Sequence, residues 1–216
     1  MKKGAIFDMD GLLFDTERLY RESWQETAAQ FGMTPDSQFP WAVAGTSGRQ
    51  MQEVVQQYYP QVDAQAFIAQ VIARVEGIVA QYVPQKPGMR EILEYMRKHQ
   101  VRTVVASSSR KKTILHNLQK AGVESFFDAV VSGEQVENGK PAPDIFLAAA
   151  AEIGVAPQDC YVLEDGINGA RAGLAAGCTT VMVPERDVLP DDLRKNCAGI
   201  YRSLYEVQEA MEAGEL

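Results

Sequence analysis

The chain has 216 residues, of which 46% are hydrophobic and 23% charged, a composition typical of a globular protein rather than a collagen or a disordered tail. Its 29 acidic residues outnumber its 21 basic ones, and the formal net charge of −8 disfavours nucleic-acid or anionic-membrane partners. Three cysteines without a Cys-x-x-Cys pair indicate reduced thiols. The apolar run after the basic N-terminus stops at Asp8, too early for a signal peptide, so we expect a cytoplasmic protein.

The predicted elements begin with a short buried strand at residues 5–7. Residues 16–83 then show only helical periodicity, with helices predicted at 17–31, 49–59 and 64–82. Short apolar strands alternate with helices in the remaining sequence, which implies a parallel sheet covered on both faces. The strands are predicted at 103–106, 129–131, 161–163 and 179–183, and the helices at 89–97, 111–121, 144–153, 167–176 and 204–213.

The helical stretch interrupts this alternation directly after the first strand. We therefore predict an α/β fold in which residues 1–15 and 84–216 form a Rossmann-like, three-layer parallel-sheet core. Residues 16–83 are predicted to form an inserted α-helical cap domain. Glycines spaced by four within the helix predicted at 167–176 and just beyond it indicate close packing of that helix against the sheet; they are Gly169, Gly173 and Gly177.

Acidic residues follow two of the predicted strands. Asp8 and Asp10 come after the first strand, and Glu164 and Asp165 come after the strand at 161–163. Ligands of open α/β sheets bind at this carboxyl edge, and like charges so close need a neutralising cation. Carboxylate oxygens suit Mg²⁺, which also keeps its waters and a substrate phosphate, and one carboxylate could then attack phosphorus as a nucleophile.

Groups that could bind a phosphoryl group follow two other strands. Ser107 ends the strand at 103–106, and its hydroxyl and the backbone amides after it could hold phosphate oxygens. Lys140 follows the strand at 129–131 and would supply a positive point charge. Ser108 and Ser109 are interpreted as caps of the following helix, with Ser108 kept as a further phosphate-binding candidate.

These segments resemble the four motifs of the haloacid dehalogenase superfamily. Residues 8–16 (DMDGLLFDT) resemble the first motif, and 104–107 (VVAS) the second. Residues 139–144 (GKPAPD) and 163–169 (LEDGING) resemble the third and fourth, in the same order and across nearly the whole chain. The helical insert resembles the cap of the β-phosphoglucomutase-like branch of subfamily I.

The resemblance implies a role for each of these residues. Asp8 would be the nucleophile and Asp10 the general acid and base, and Mg²⁺ would be held by Asp8, the backbone carbonyl of Asp10, and Asp165. Glu164 would assist the metal directly or through water. Members that resemble the founding dehalogenase or cleave phosphonates lack an acid like Asp10, so its presence favours phosphate esters. The implied phosphate-binding residues are Ser107, Ser108 and Lys140.

Departures in the cap distinguish a phosphatase from a phosphomutase. The mutases carry a His where this chain has Tyr20, and a Lys-Gly pair where it has Ala44 before Gly45, with Arg49 displaced by one residue. The resemblance therefore favours hydrolysis of a small phosphorylated metabolite, expected to be a sugar phosphate, over a β-phosphoglucomutase-type reaction. A catalytically inactive phosphate-binding module is a third alternative, disfavoured because sensing phosphate does not require an acid such as Asp10.

Four cap residues are candidates for contact with the substrate. Arg49 could clamp a distal anion through its guanidinium fork, although a solvated position at a helix start is equally compatible. Tyr20, Trp41 and Trp24 could line a pocket, although aromatic residues at helical spacing are also typical of a core. We expect a monomer whose partner is the small metabolite.

Overall fold

The computed structural model describes residues 1–44, 46, 48–185 and 188–216. The chain divides into two compact units, one formed by Met1–Phe14 with Gln85–Leu216 and the other by Asp15–Pro84. The first unit combines a sheet with helices, and the second is helical.

The helical unit has an aromatic core. Its helices are α1 (Thr16–Gln30), α2 (Phe39–Val43), α3 (Gly48–Tyr58) and α4 (Ala64–Gln81). Phe39 and Phe67 are fully buried, and the Trp24 ring stacks on Phe67 with 5.8 Å between centroids. Such aromatic pairs stabilise a core beyond the area that they bury. Trp24 is only 3% exposed among these rings, as the core alternative for this residue predicts.

The α/β unit contains a fully parallel sheet, as the alternating pattern predicts. Its strands are β1 (Gly4–Phe7), β2 (Arg102–Ser107), β3 (Ala129–Ser132), β4 (Cys160–Glu164), β5 (Thr179–Met182) and β6 (Gly199–Ile200). They lie in the order β3-β2-β1-β4-β5-β6, and all neighbouring pairs are parallel. Every residue of β1, near the middle of the sheet, is buried.

Helices cover both faces of this sheet. They are α5 (Met89–Lys98), α6 (Lys111–Ala121), α7 (Asp144–Glu152), α8 (Ile167–Ala175), α9 (Asp191–Asn196) and α10 (Leu204–Ala213). Ile6 and Val104 lie in register and pack with Phe146 of α7 in one cluster. Phe7 and Val105, the next residues along the same strands, point to the other face and are also fully buried. The predicted α/β fold with a covered parallel sheet is therefore confirmed.

Two of the three glycines near α8 pack as predicted. A Cβ at Gly173 would lie 2.9 Å from a Val162 side-chain atom on β4, and a Cβ at Gly169 would meet the Glu164 side chain. Gly177 differs, because it follows the end of α8 with φ of +76°, and a Cβ there would meet no described atom within 4 Å. Its role is to end the helix in a left-handed conformation, so the packing prediction is wrong at this position.

The strand order places a topological switch point beside β1. From β1, the sheet continues to β2 on one side and to β4 on the other. Phe7 is paired with Val105 and with Leu163, so Asp8 and Glu164 follow at adjacent strand ends. A crevice forms at such a point because the connections leave in opposite directions, and ligands bind there in open α/β sheets.

The three cysteines are unpaired and mostly buried in the part of the chain that the structure describes. Burial raises the pKa of Cys160 to about 11, which keeps its thiol protonated at neutral pH. Among the described residues, no helix combines the length and apolar character needed to cross a membrane.

Candidate active site

Three charged side chains meet where β1 and β4 end. The Lys140 ammonium donates hydrogen bonds to the Asp8 carboxylate and, at 2.6 Å, to Oε1 of Glu164. All three side chains are at most 9% exposed. Buried charges are stable only when they are paired and hydrogen-bonded, so each member of this cluster depends on the others.

Burial and mutual attraction set the charge of this cluster. Burial raises the pKa of Asp8 to about 8, although Lys140 acts in the opposite direction and Glu164 adds to the rise. Burial disfavours the charged form of Lys140, but attraction by Asp8 and Glu164 outweighs it and raises the pKa of the ammonium. The lysine therefore stays positive, and one positive charge faces two buried carboxyl groups. Because burial favours the neutral form of Asp8, a bound cation would stabilise its ionised form.

The carboxylates at these strand ends fit a divalent cation. Asp8, Glu164 and Asp165 each offer a carboxylate oxygen, and these oxygens lie within 4.8 Å of one another. This spacing is compatible with one divalent cation held by all three residues. Carboxylate oxygens are hard donors of the kind that Mg²⁺ prefers.

Two glycines make room for these carboxylates. Gly11 has φ of +92°, and a Cβ there would lie 2.1 Å from Oδ2 of Asp165. A Cβ at Gly169 would lie 1.6 Å from Oε1 of Glu164. The Gly166 amide donates to the other oxygen, Oε2 of Glu164, at 2.7 Å. The glycines of the first and fourth motifs therefore shape the acidic cluster, a role that the sequence analysis did not assign to them.

The Asp10 carboxylate is hydrogen-bonded to serines at the end of β2 and in the loop after it. The Ser109 hydroxyl donates to Oδ2 of Asp10 at 2.8 Å, and the Ser107 hydroxyl approaches the same oxygen at 3.4 Å. The Ser109 amide donates to the Ser107 hydroxyl at 3.0 Å. Ser108, between them, is exposed. Sequence reasoning missed the contact of Ser109 with Asp10.

The predicted capping of α6 by serines is wrong. The N-cap residue of α6 is Arg110, so Ser108 and Ser109 lie outside the capping position. The first helical amide, that of Lys111, donates to the Glu134 carboxylate at 3.1 Å. A glutamate distant in sequence thus stabilises the start of α6, where a negative charge is favourable.

The loop that carries Lys140 is fixed by an asparagine and an aspartate. Oδ1 of Asp144, at the start of α7, accepts from the Asn138 amide at 3.2 Å and from its side-chain nitrogen at 2.9 Å. The Lys140 ammonium also lies 5.0 Å from the centre of the Phe146 ring. The contact of Asn138 with Asp144 was not predicted from the sequence, where the only signal was an Asn-Gly pair typical of a turn.

The structure places the cap candidates within the helical unit. Arg49 is 92% exposed in its side chain and pairs with Glu53 at 2.9 Å. Tyr20 is half-buried and packs against the aromatic core, and the Arg21 guanidinium lies 4.7 Å from the centre of the Trp41 ring. The substrate contacts of these residues stay predictions. Two positions of the segment compared with the mutases lie outside the described residues: Gly45 and Ser47.

Known proteins resemble this chain along most of its length. A family model for haloacid dehalogenase-like hydrolases matches residues 5–183. A phosphorylated carbohydrates phosphatase of Thermotoga maritima is 28% identical over 213 residues, which cover 98% of this chain and 91% of the relative. The fructose-1-phosphate phosphatase YqaB of Escherichia coli is 32% identical over 181 residues, which cover 83% of this chain and 95% of the relative.

Solved structures share the fold. A HAD family hydrolase of Deinococcus radiodurans, solved with bound phosphate and sodium, matches with a TM-score of 0.85 and 27% identity, covering 100% of this chain and 97% of that one. A β-phosphoglucomutase of Clostridium difficile has the same fold, with a TM-score of 0.76 and 22% identity over 100% of this chain and 97% of that one. These matches confirm the resemblance found in the motifs: the chain belongs to the haloacid dehalogenase-like hydrolase family.

Proposed function

We propose that this chain is an Mg²⁺-dependent phosphatase that hydrolyses a small phosphorylated metabolite, a sugar phosphate, through an aspartyl phosphate on Asp8. The observation that carries the proposal is the buried Asp8, paired with Lys140 inside a carboxylate cluster that fits a divalent cation. The two relatives are named as phosphatases of phosphorylated carbohydrates and of fructose 1-phosphate. These names support a sugar phosphate as the substrate.

The proposed reaction has two steps at phosphorus. In the first, a carboxylate oxygen of Asp8 forms a bond to phosphorus while the ester oxygen leaves, and Asp10 gives that oxygen a proton. In the second, Asp10 takes a proton from water, whose oxygen attacks phosphorus and releases the Asp8 carboxylate. Positioned acids and bases of this kind accelerate such steps by about 10²–10⁴-fold.

The surrounding residues would bind the phosphoryl group and the metal ion that neutralises its negative charge. Asp8, Asp165 and the backbone carbonyl of Asp10 would hold Mg²⁺, with Glu164 beside them, and the bound ion would neutralise charge on the phosphoryl oxygens. Lys140 orients the nucleophile and adds positive charge next to it. We assign the remaining phosphate contacts to Ser107 and Ser108.

The α/β unit would be the catalytic core and the helical unit the cap that selects the substrate. In this arrangement, Arg49, Tyr20 and Trp41 would contact the part of the substrate that does not react. We expect the protein to act in the cytoplasm as a monomer.

The test is phosphate release from a panel of phosphorylated sugars with Mg²⁺, comparing the unchanged chain with Asp8→Asn. The variant should lose turnover and keep its circular dichroism spectrum, because the amide has the same shape but is not a nucleophile. Asp191→Asn, at the exposed start of α9, should retain activity. Substantial hydrolysis of p-nitrophenyl phosphate by Asp8→Asn, or release that survives chelation, would refute the proposal. Isomerisation of β-glucose 1-phosphate without phosphate release would instead indicate a mutase.

A further inference from the structure

The hydroxyl of Ser109 is directed at the carboxylate of Asp10. The two residues are 99 positions apart in sequence, and the hydroxyl donates to Oδ2 of Asp10 at 2.8 Å. The Ser107 hydroxyl lies 3.4 Å from the same oxygen, near the limit of a hydrogen bond. Ser109 is therefore the stronger of these two donors to Oδ2.

Ser109 itself is fixed by hydrogen bonds to two strand ends. Its amide donates to the Ser107 hydroxyl at 3.0 Å, at the end of β2. Its carbonyl accepts from the Ser132 hydroxyl at 2.7 Å, at the end of β3. Ser107 and Ser132 are both buried, so rigid elements hold the Ser109 backbone on both sides. Only rotation about its side-chain bond remains, and the hydrogen bond to Asp10 fixes that as well.

We infer that Ser109 is a positioning residue for Asp10, an inference that rests on the proposed function. Asp10 lies on a half-buried loop after β1, and a general acid must lie within hydrogen-bond reach of the oxygen that it protonates. The hydrogen bond from the Ser109 hydroxyl to Oδ2 holds the plane of the Asp10 carboxyl group. Ser109 acts through Asp10 and supplies no proton itself.

The leaving group distinguishes this role from a general structural one. In Ser109→Ala, kcat/KM for a sugar phosphate, whose alkoxide must be protonated, should fall by about tenfold or more, a part of the effect of a well-placed acid. For 2,4-dinitrophenyl phosphate, whose leaving group needs no proton, the loss should stay below about threefold. Ser109→Thr should restore the sugar phosphatase rate, and the exposed Ser125→Ala should leave both rates unchanged.

A double-mutant cycle tests whether Ser109 acts through Asp10. On an Asp10→Asn background, Ser109→Ala should have no further effect on sugar phosphate hydrolysis, because the group that it positions is gone. Ser109→Cys keeps the size of the side chain but donates weakly, so it should show the same dependence on the leaving group even if the alanine variant does not fold.

The outcomes separate the inference from the proposed function. Equal losses on both leaving groups, or additive effects of the two substitutions, would overturn the role of Ser109 while phosphatase activity stands. A folded chain that hydrolyses neither substrate would refute the proposed function, and the inference with it.

Discussion

Lys140 provides the positive charge that two buried carboxyl groups share. Replacing it by methionine keeps much of the buried stem but leaves Asp8 and Glu164 without their partner. Removal of one member of a buried charge cluster costs about 3–5 kcal/mol, so Lys140→Met should lower the free energy of unfolding by that amount. Urea unfolding followed by circular dichroism in the presence of a chelator measures this loss.

The control for this prediction is an exposed lysine. Lys112→Met, in the first turn of α6, should change the free energy of unfolding by no more than about 0.5 kcal/mol. Added Mg²⁺ should restore part of the loss in Lys140→Met, because an ion at the same carboxylates supplies positive charge. A Lys140 variant as stable as the Lys112 variant would show that the carboxyl groups do not depend on this ammonium.

Sequence reasoning predicts which residues share the sheet edge better than it predicts their contacts. Asp8, Glu164 and Lys140 follow strands, and the carboxyl ends of parallel strands meet at one edge, so their proximity follows from topology. The hydrogen bond from Ser109 to Asp10 depends on the path of a loop and on one rotamer. The local rule that a serine caps the helix that follows it predicts that Ser109 bonds to an amide of α6. In the structure, its hydroxyl bonds to Asp10 instead.

Two helical glycines differ in the space around them, so replacing each by alanine should have opposite effects on stability. A Cβ at Gly169 in α8 would collide with the Glu164 carboxylate, whereas a Cβ at Gly77 in α4 would meet no described atom within 4 Å. Gly77→Ala should therefore stabilise the helical unit by about 0.5–1 kcal/mol, because alanine favours the helix. Gly169→Ala should destabilise the α/β unit and displace Glu164, since the clash is with a confined buried side chain.

The pair is compared by thermal unfolding and by phosphate release. We expect a higher melting temperature and unchanged activity for Gly77→Ala, and losses of both for Gly169→Ala. If Gly169→Ala were as stable and active as the unchanged chain, the tight approach of α8 to the Glu164 carboxylate would not be required.

Helices and strands are predicted correctly where the segment is long enough for its hydrophobic periodicity to be detected. The predicted helices and strands agree with the structure to within one residue at each end. The α-helices and the strand missed among the described residues are short: α2 has five residues, α9 six and β6 two. A segment shorter than two helical turns shows no reliable period, and tertiary packing decides its conformation.

At the scale of the whole molecule, the interrupted alternation of strands and helices predicts an insertion, but the strand order does not follow from it. The order β3-β2-β1-β4-β5-β6 requires successive connections to reverse direction at β1. The local hydrophobic pattern does not determine on which side of β1 each following strand is added. Which side is used depends on packing between segments far apart in sequence, and the position of the acidic cluster depends on that choice.

Separate hydrophobic cores in the two units predict separate responses to core substitutions. Phe67 lies in the aromatic cluster of the helical unit, and Phe146 lies in the cluster beneath the sheet; both are fully buried. Removing either ring should cost about 3–5 kcal/mol in its own unit, from lost burial and the cavity left behind. Hydrogen exchange measures this locally, because amide protection reports the stability of each cooperative region.

Phe67→Ala should speed exchange in α1 and α4 and leave β1 and β4 protected, because Phe67 and Phe146 belong to different hydrophobic clusters. Phe146→Ala is the matched control and should give the reverse pattern. Faster exchange in both units with either variant would mean that they unfold as one cooperative structure. Confined effects would mean that the helical unit can open locally while the sheet keeps Asp8, Lys140 and Glu164 together, since these three residues belong to the α/β unit.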